Sequence, residues 1–340
     1  MKPSELTKLL ASAISARLPI LITGAPGIGK SDIVASAAAD AGADLILSHP
    51  VVSDPTDAKG LPWIAADKKS ATFLPFGEMQ RAINAKTPTI WFLDDLGQAS
   101  PAVQASFMQL ILARCVNGHA LPDCVTFIAA TNRRTDRAGV QGILEPVKSR
   151  FASIVELEAN LDDWCNWAIG KQLPVEMIAF LRFRPDLLQA FNPSADLVNS
   201  PSPRTWHNAA KLLALNLDSS LEFAALKGAV GEGAAAEFTA FLQIYRELPS
   251  LDAILLDPAN APIPEKPDSR YAVATGLASK ATEANFSRIA TYAERLTQAK
   301  HGEFAVLMLR DCLRRNPKLM QTSDFIKLGS SETGKLFSGK

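Results

Sequence analysis

Eight residues near the start of the chain, Gly24-Ala25-Pro26-Gly27-Ile28-Gly29-Lys30-Ser31, fit the pattern G-x-x-x-x-G-K-[ST]. The chemistry such a run can do is phosphate binding. Its glycines admit backbone angles that a Cβ forbids, so successive N–H groups can turn inward onto phosphate oxygens. A helix opening at Gly29-Lys30 adds the positive end of its dipole. The Lys30 ammonium then reaches the β- and γ-phosphates of a nucleoside triphosphate, and the Ser31 hydroxyl becomes a ligand for Mg²⁺.

Two other places supply the remaining groups. Leu93-Asp94-Asp95 ends an apolar run. A carboxylate at the C-terminal end of a central strand beside a phosphate loop is where a Mg²⁺-coordinating acid belongs, so Ser31 and Asp94 form the candidate metal pair. Asp95 stands where a carboxylate can polarise an attacking water. Thr131-Asn132 closes a further apolar run. Asn132 there can hydrogen-bond that water and the γ-phosphate, although asparagine ending a strand is by itself a common turn residue.

These groups need a sheet to hold them. Apolar runs at 18–23, 44–48, 88–94, 125–131 and 153–157 read as strands, and those apolar on both faces read as central parallel strands. Helical stretches separate them, beginning with a helix over 5–16 that Ser4 could cap. Alternation of this kind predicts an α/β domain over residues 1–158, a parallel sheet covered by helices on both faces. Residues 60–75 read as an inserted hairpin, with Trp63 and Phe73 either facing a pore or partner or packing on the core. From 159 to 250 only helical periodicity remains, which predicts an all-α unit. Residues 251–340 read as a helical extension that opens with a proline-rich linker or strap over 257–268 and closes in a polar, mobile tail.

Composition narrows the class. The chain has 340 residues, 47% of them apolar, enough for a sizeable core. Lys+Arg and Asp+Glu balance at 35 each, so a whole-chain basic footprint for nucleic acid is absent. A local patch stays open: Arg310, Arg314, Arg315 and Lys318 form a basic helical end, and Arg133, Arg134 and Arg137 form either a phosphate- or subunit-facing patch or a solvated loop. Cys115, Cys124, Cys165 and Cys312 are scattered and suggest packing rather than zinc or disulfides. No signal-peptide core and no run of membrane-spanning length is present, so a cytoplasmic protein without a membrane partner is expected.

The order of Gly24–Ser31, Leu93-Asp94-Asp95 and Ala130-Thr131-Asn132 is similar to that of the AAA+ ATPases, and within them the chain resembles the MoxR-like, or dynein-related, branch. Residues 53–60, Leu144-Glu145-Pro146-Val147-Lys148-Ser149-Arg150-Phe151 and Ser202-Pro203-Arg204-Thr205 carry that finer likeness, which covers about residues 1–250. The resemblance implies a P-loop NTPase sheet of strand order 5-1-4-3-2, a helical lid, and ATP with Mg²⁺. It implies Asp94 as the Walker B acid, Asn132 as sensor 1, Arg150 as an arginine finger inserted into a neighbouring subunit, and Arg204 as a sensor 2 residue. It further implies a ring, a hexamer, doing chaperone-like remodelling, commonly with a von Willebrand factor A domain partner. Two departures stand out. Asp95 replaces the glutamate of most relatives, and its carboxylate stops about 1–1.5 Å short; the proline often found after Asn132 is missing. Two alternatives follow: a nucleotide-dependent switch or scaffold that hydrolyses feebly, or a DNA-directed loader, against which the neutral charge argues.

Overall fold

The computed structural model describes residues 1–136, 139, 142–193, 197–248 and 250–339. Arg137 lies outside the described residues. The chain divides into two compact units, Met1–Asn160 with Phe191–Ala195, and Leu161–Ala190 with Asp196–Lys340.

In the first unit, helix α1 (Pro3–Ala16) leads into strand β1 (Ile20–Thr23), and α2 (Lys30–Asp40) follows the glycine loop. Helix α1 starts at Pro3, one residue ahead of Ser4, because proline's fixed φ suits the first helical turn. The remaining main-sheet strands are β2 (Asp44–Ser48), β5 (Thr89–Leu93), β8 (Val125–Thr131) and β9 (Ser153–Glu156). They form one parallel sheet in the order β2-β5-β8-β1-β9, the order 5-1-4-3-2 of the sequence reading. Each βα crossover returns the chain to the same edge, so every strand delivers its C-terminal end there.

Both faces of the sheet's centre are covered, which is why β5 and β8 are buried along their whole length, whereas the edge strands β2 and β9 keep exposed positions. Trp91, Leu93 and Phe127 point into one cluster, with Phe107 of α5 (Pro101–Ala113); Ile90, Phe92 and Ile128 point into the other, with Leu6, Leu10 and Val34 of α1 and α2. Trp91 stacks on Phe127 and meets Phe107 edge-on, and its indole N–H donates to Ser48 Oγ at 2.8 Å, so the largest core side chain is also satisfied as a donor.

Two hairpins leave the sheet. The expected one is β3 (Leu61–Ile64) paired with β4 (Ala71–Leu74), bracketed by α3 (Pro55–Lys59) and α4 (Gly77–Ile83). Its two aromatics part company: Trp63 is 64% exposed, while Phe73 is half-buried and its carbonyl meets His119 Nε2 at 2.6 Å. The second hairpin, β6 (Cys115–Val116) with β7 (His119–Ala120), was not read from the sequence. Its turn, Asn117-Gly118, has φ of 49° and 83° at the two central residues, the geometry an Asn-Gly pair favours. A last short helix, α6 (Glu145–Lys148), precedes β9.

The second unit is helical among its described residues: α7 (Leu161–Gly170), α8 (Val175–Phe183), α9 (Pro203–Leu213), α10 (Ser219–Val230), α11 (Glu232–Glu247), α12 (Leu251–Leu256), α13 (Pro267–Ser279), α14 (Phe286–Gln298), α15 (Gly302–Arg315), α16 (Ser323–Leu328) and α17 (Glu332–Ser338). Inside it Arg182 and Asp311 form a fully buried ion pair, Nη2 to Oδ1 at 2.7 Å. The proline-rich stretch is a strap: Arg295 donates to the Pro258 carbonyl at 2.8 Å, Tyr292 to Pro262 at 3.1 Å and Arg270 to Pro264 at 2.8 Å. In the polar tail, α17 buries Thr333, which bonds Thr297 at 2.9 Å. The basic end of α15 is divided: Arg314 pairs with Asp311, while Nε and Nη2 of Arg315 are buried. Among the described residues no helix is long and apolar enough to cross a membrane.

Candidate nucleotide site

The groups singled out in the sequence meet at the C-terminal edge of the main sheet. Strands β5, β8 and β1 are adjacent, with Leu93 opposite Ala129 and Thr131 opposite Thr23. Asp94, Asn132 and Gly24 are each the first or second residue beyond that edge, so three separate segments converge without any long side chain having to bridge the gap.

The loop itself is shaped by two close requirements. Gly29 caps α2 at φ 101°, a conformation that a β-carbon strongly disfavours. Gly24 has an ordinary φ, yet a Cβ there would lie 2.8 Å from the Leu157 carbonyl oxygen, so the loop can leave β1 only by passing directly against the chain that follows β9. Helix α2 then starts at Lys30, directing its dipole at the loop.

Lys30 is buried, and its ammonium donates to the carbonyls of Gly24 at 2.9 Å and Ala25 at 3.0 Å and to Asn132 Oδ1 at 2.7 Å. Asn132 Nδ2 in turn donates to Asp95 Oδ1 at 3.4 Å. The Asp95 N–H donates to Asp94 Oδ1 at 3.1 Å, and the Ser31 hydroxyl donates to Asp94 Oδ2 at 2.6 Å. Lys30, Asn132, Asp95, Asp94 and Ser31 therefore form one connected polar chain. Asp94 and Asn132 are each 8% exposed, so their polar atoms gain strength from a partly desolvated setting.

Asp95 sits at φ 57°, the left-handed region that aspartate tolerates better than most residues. The turn it begins lies against β8, and this depends on Gly97, where a Cβ would come within 2.2 Å of Thr131 Oγ1. Gly97 was absent from the sequence reading; only the folded backbone reveals that the Asp94-Asp95 turn and the Thr131-Asn132 strand end require a residue without a side chain between them.

The arginines divide. Arg133 faces acids: Nε and Nη2 bond the Asp136 carboxylate, Nη1 bonds Glu156 at 3.1 Å, and these contacts, the Asp136 bonds foremost, hold its pKa above the ordinary arginine value despite partial burial. Arg134 is exposed. Arg150 is half-buried; Nη1 donates to Ser149 Oγ at 3.0 Å, and Nε is buried without a partner among the described residues. Arg204 belongs to the second unit, exposed at the second position of α9, whose cap is the reciprocal pair Ser202 and Thr205.

A phosphate-type loop on a parallel sheet, linked through its lysine to an asparagine and through its serine to an aspartate, has a matching family. Residues 20–159 match the ATPase family associated with various cellular activities, AAA. This segment is an AAA ATPase domain. No curated protein matches the chain. Among solved structures, the chain is similar to RuvB of Thermotoga maritima, the Holliday junction branch migration motor, at 15% identity over 81% of this chain and 80% of that one, with a TM-score of 0.38. It is also similar to NtrX from Brucella abortus in complex with ADP, at 13% identity over 99% of this chain and 67% of that one, with a TM-score of 0.43.

The AAA domain's donor set suits Mg²⁺ and phosphate chemically. Ser31 Oγ and Asp94 Oδ2 are hard oxygens already in contact, the few protein ligands that Mg²⁺ takes when waters and phosphate oxygens complete its shell. Lys30 and the loop amides supply positive potential for phosphates.

Proposed function

We propose that the AAA domain binds Mg-ATP and hydrolyses it, and that the protein is a ring-forming, MoxR-like machine that remodels a client protein. The observation that carries this reading is the bond from Lys30 to Asn132, because it joins the phosphate loop to the residue that would sense the γ-phosphate. In this reading the loop residues Gly24, Ala25, Pro26, Gly27, Ile28 and Gly29 cradle the phosphates. Lys30 neutralises their charge. Ser31 and Asp94 hold Mg²⁺, which when bound draws charge from the β- and γ-oxygens. Asp95 orients the attacking water and Asn132 positions it against the γ-phosphate.

Arg150 and Arg204 complete the proposal. Arg150 ends the Leu144–Phe151 segment that resembles the AAA+ pattern, and a guanidinium presented to a neighbouring subunit's triphosphate would stabilise the charge developing there. Arg150 is thus assigned as a finger acting in trans, within a six-membered ring. Arg204, held exposed by the α9 cap, is assigned to the γ-phosphate of its own chain. A von Willebrand factor A domain protein is the partner class proposed, and the exposed Trp63 hairpin a surface for such contacts.

Steady-state ATP turnover of wild type, Lys30→Ala and Asp95→Glu tests the reading. Hydrolysis by wild type that is lost in Lys30→Ala supports it. A specific observation favours a second reading, a nucleotide-dependent switch: the bond from Asn132 Nδ2 to the short Asp95 side chain is long, at 3.4 Å. Wild type as inactive as Lys30→Ala, with Asp95→Glu active, establishes the switch and overturns the enzyme.

A further inference from the structure

We infer that Arg133 is a positioning residue, a strap that fixes Asn132 relative to the phosphate loop by tying the chain beyond β8 to β9 across the intervening strand β1. The inference rests on the nucleotide reading of the site.

The topology makes the strap possible. Strand β1 lies between β8 and β9, and its last residue, Thr23, is paired with Thr131 on one side and Glu156 on the other. Gly24 follows Thr23, and Asn132 follows Thr131. A side chain that starts at Arg133 and ends on Glu156 therefore passes over the point where β1 becomes the phosphate loop.

The chemistry requires arginine. Its guanidinium engages two acids at once. Nε lies 3.2 and 3.1 Å from the two Asp136 carboxylate oxygens, Nη2 lies 2.9 Å from Oδ1, and Nη1 lies 3.1 Å from Glu156 Oε1. The backbone closes the same turn twice, Arg133 N–H onto Asp136 Oδ2 at 3.1 Å and Asp136 N–H onto the Arg133 carbonyl at 3.1 Å. Asp136 is 5% exposed, so this end of the strap is anchored in the domain. A lysine has a single nitrogen and no planar fork, and cannot serve both acids in this geometry.

Magnitudes separate positioning from stability. The Glu156 carboxylate is half-exposed, and an ion pair of that kind contributes little to folding. Placement is different: an error of about 1 Å in a catalytic group costs roughly a hundredfold in rate. Loss of the strap should thus spare the fold and the diphosphate contacts, and harm what depends on Asn132, the recognition of a third phosphate.

Binding of ADP and of ATPγS, each with Mg²⁺, to the full chain by titration calorimetry tests this, with melting temperature as the fold control. The variants are Arg133→Lys and, should that one fold poorly, Glu156→Ala at the exposed end. Expected in Glu156→Ala is a loss of about tenfold or more in ATPγS affinity, ADP affinity within about twofold, and a melting temperature within about 2 °C of wild type; Arg133→Lys, which also loses the fork on buried Asp136, should show the same split between nucleotides with a lower melting temperature. Wild type binding neither nucleotide overturns the nucleotide reading and the strap with it. Wild type preferring ATPγS, with both variants preferring it equally or losing both nucleotides alike, overturns the strap alone.

Discussion

The Lys30 ammonium donates to Asn132 Oδ1 at 2.7 Å, joining residues 102 positions apart in the chain. One bond thus couples the phosphate loop after β1 to the end of β8, and Asn132 passes the connection to Asp95 beyond β5. In the proposed nucleotide reading, that coupling, rather than the loop alone, would give the AAA domain a means of distinguishing nucleotide states.

Removing the amide should uncouple sensing from binding. Asn132→Ala deprives Lys30 of one acceptor and, in the proposed reading, would deprive the reacting water of its guide while leaving the loop's contacts to the first two phosphates. The expected outcome is turnover reduced by about 10²–10³-fold with ADP affinity close to wild type. Steady-state hydrolysis and ADP titration measure the two quantities separately.

The hydroxyl at position 31 should set the metal requirement. Ser31→Ala leaves Asp94 Oδ2 without its 2.6 Å donor and, in the proposed reading, would leave the cation without one ligand. The Mg²⁺ concentration for half-maximal turnover at fixed ATP is expected to rise by about tenfold or more, which a Mg²⁺ titration of hydrolysis reads directly.

Gly24 should resist substitution for a reason distinct from its φ. In Gly24→Ala the new Cβ meets the Leu157 carbonyl oxygen at 2.8 Å, and backbone must move. A cost of about 1–3 kcal/mol is expected. Gly228→Ala in α10, where nothing lies within 4 Å of the added carbon, should be neutral or stabilising by up to about 1 kcal/mol. Urea denaturation of the two variants provides the comparison.

Buried thiols should make the protein lose stability in alkali. Burial pushes Cys165 from 9.0 up to about 11 and Cys312 from 9.0 up to about 12. Below pH 9 both thiols are protonated folded or unfolded, and the native state is not penalised. As pH rises above 9 they ionise only in the unfolded chain, so stability falls through about pH 11 and 12. Denaturation midpoints between pH 7 and 11 check the sign. At pH 8 a thiol reagent should label Cys165 and Cys312 only after unfolding, which peptide mapping resolves.

Much of the site was legible because its groups are adjacent to strong local signals. Each strand is an apolar run, and Gly24–Ser31, Asp94-Asp95 and Asn132 are the first polar residues after three such runs. In a parallel sheet with right-handed crossovers, strand ends must share an edge, so residue type and place in the pattern were enough to bring these groups to one site, while the order of the five strands followed from the resemblance to the AAA+ ATPases. The two-residue arms of β6 and β7 were too short to show alternation, although Asn117-Gly118 was a usable turn signal. The divided basic end of α15 was illegible, because the pattern of charges does not reveal that Arg315 is drawn inward while Arg314 meets Asp311.

By itself, then, the sequence determined which groups the site contains and which edge of the sheet carries them, since both follow from periodicity and loop chemistry over a few residues. Only the tertiary structure decided how they connect. That Lys30 bonds Asn132, that Gly97 and Gly24 must lack side chains, and that Arg133 reaches Glu156 across β1 are contacts between distant segments. Their physical basis is close packing at distances of about 3 Å, which no spacing along the chain encodes.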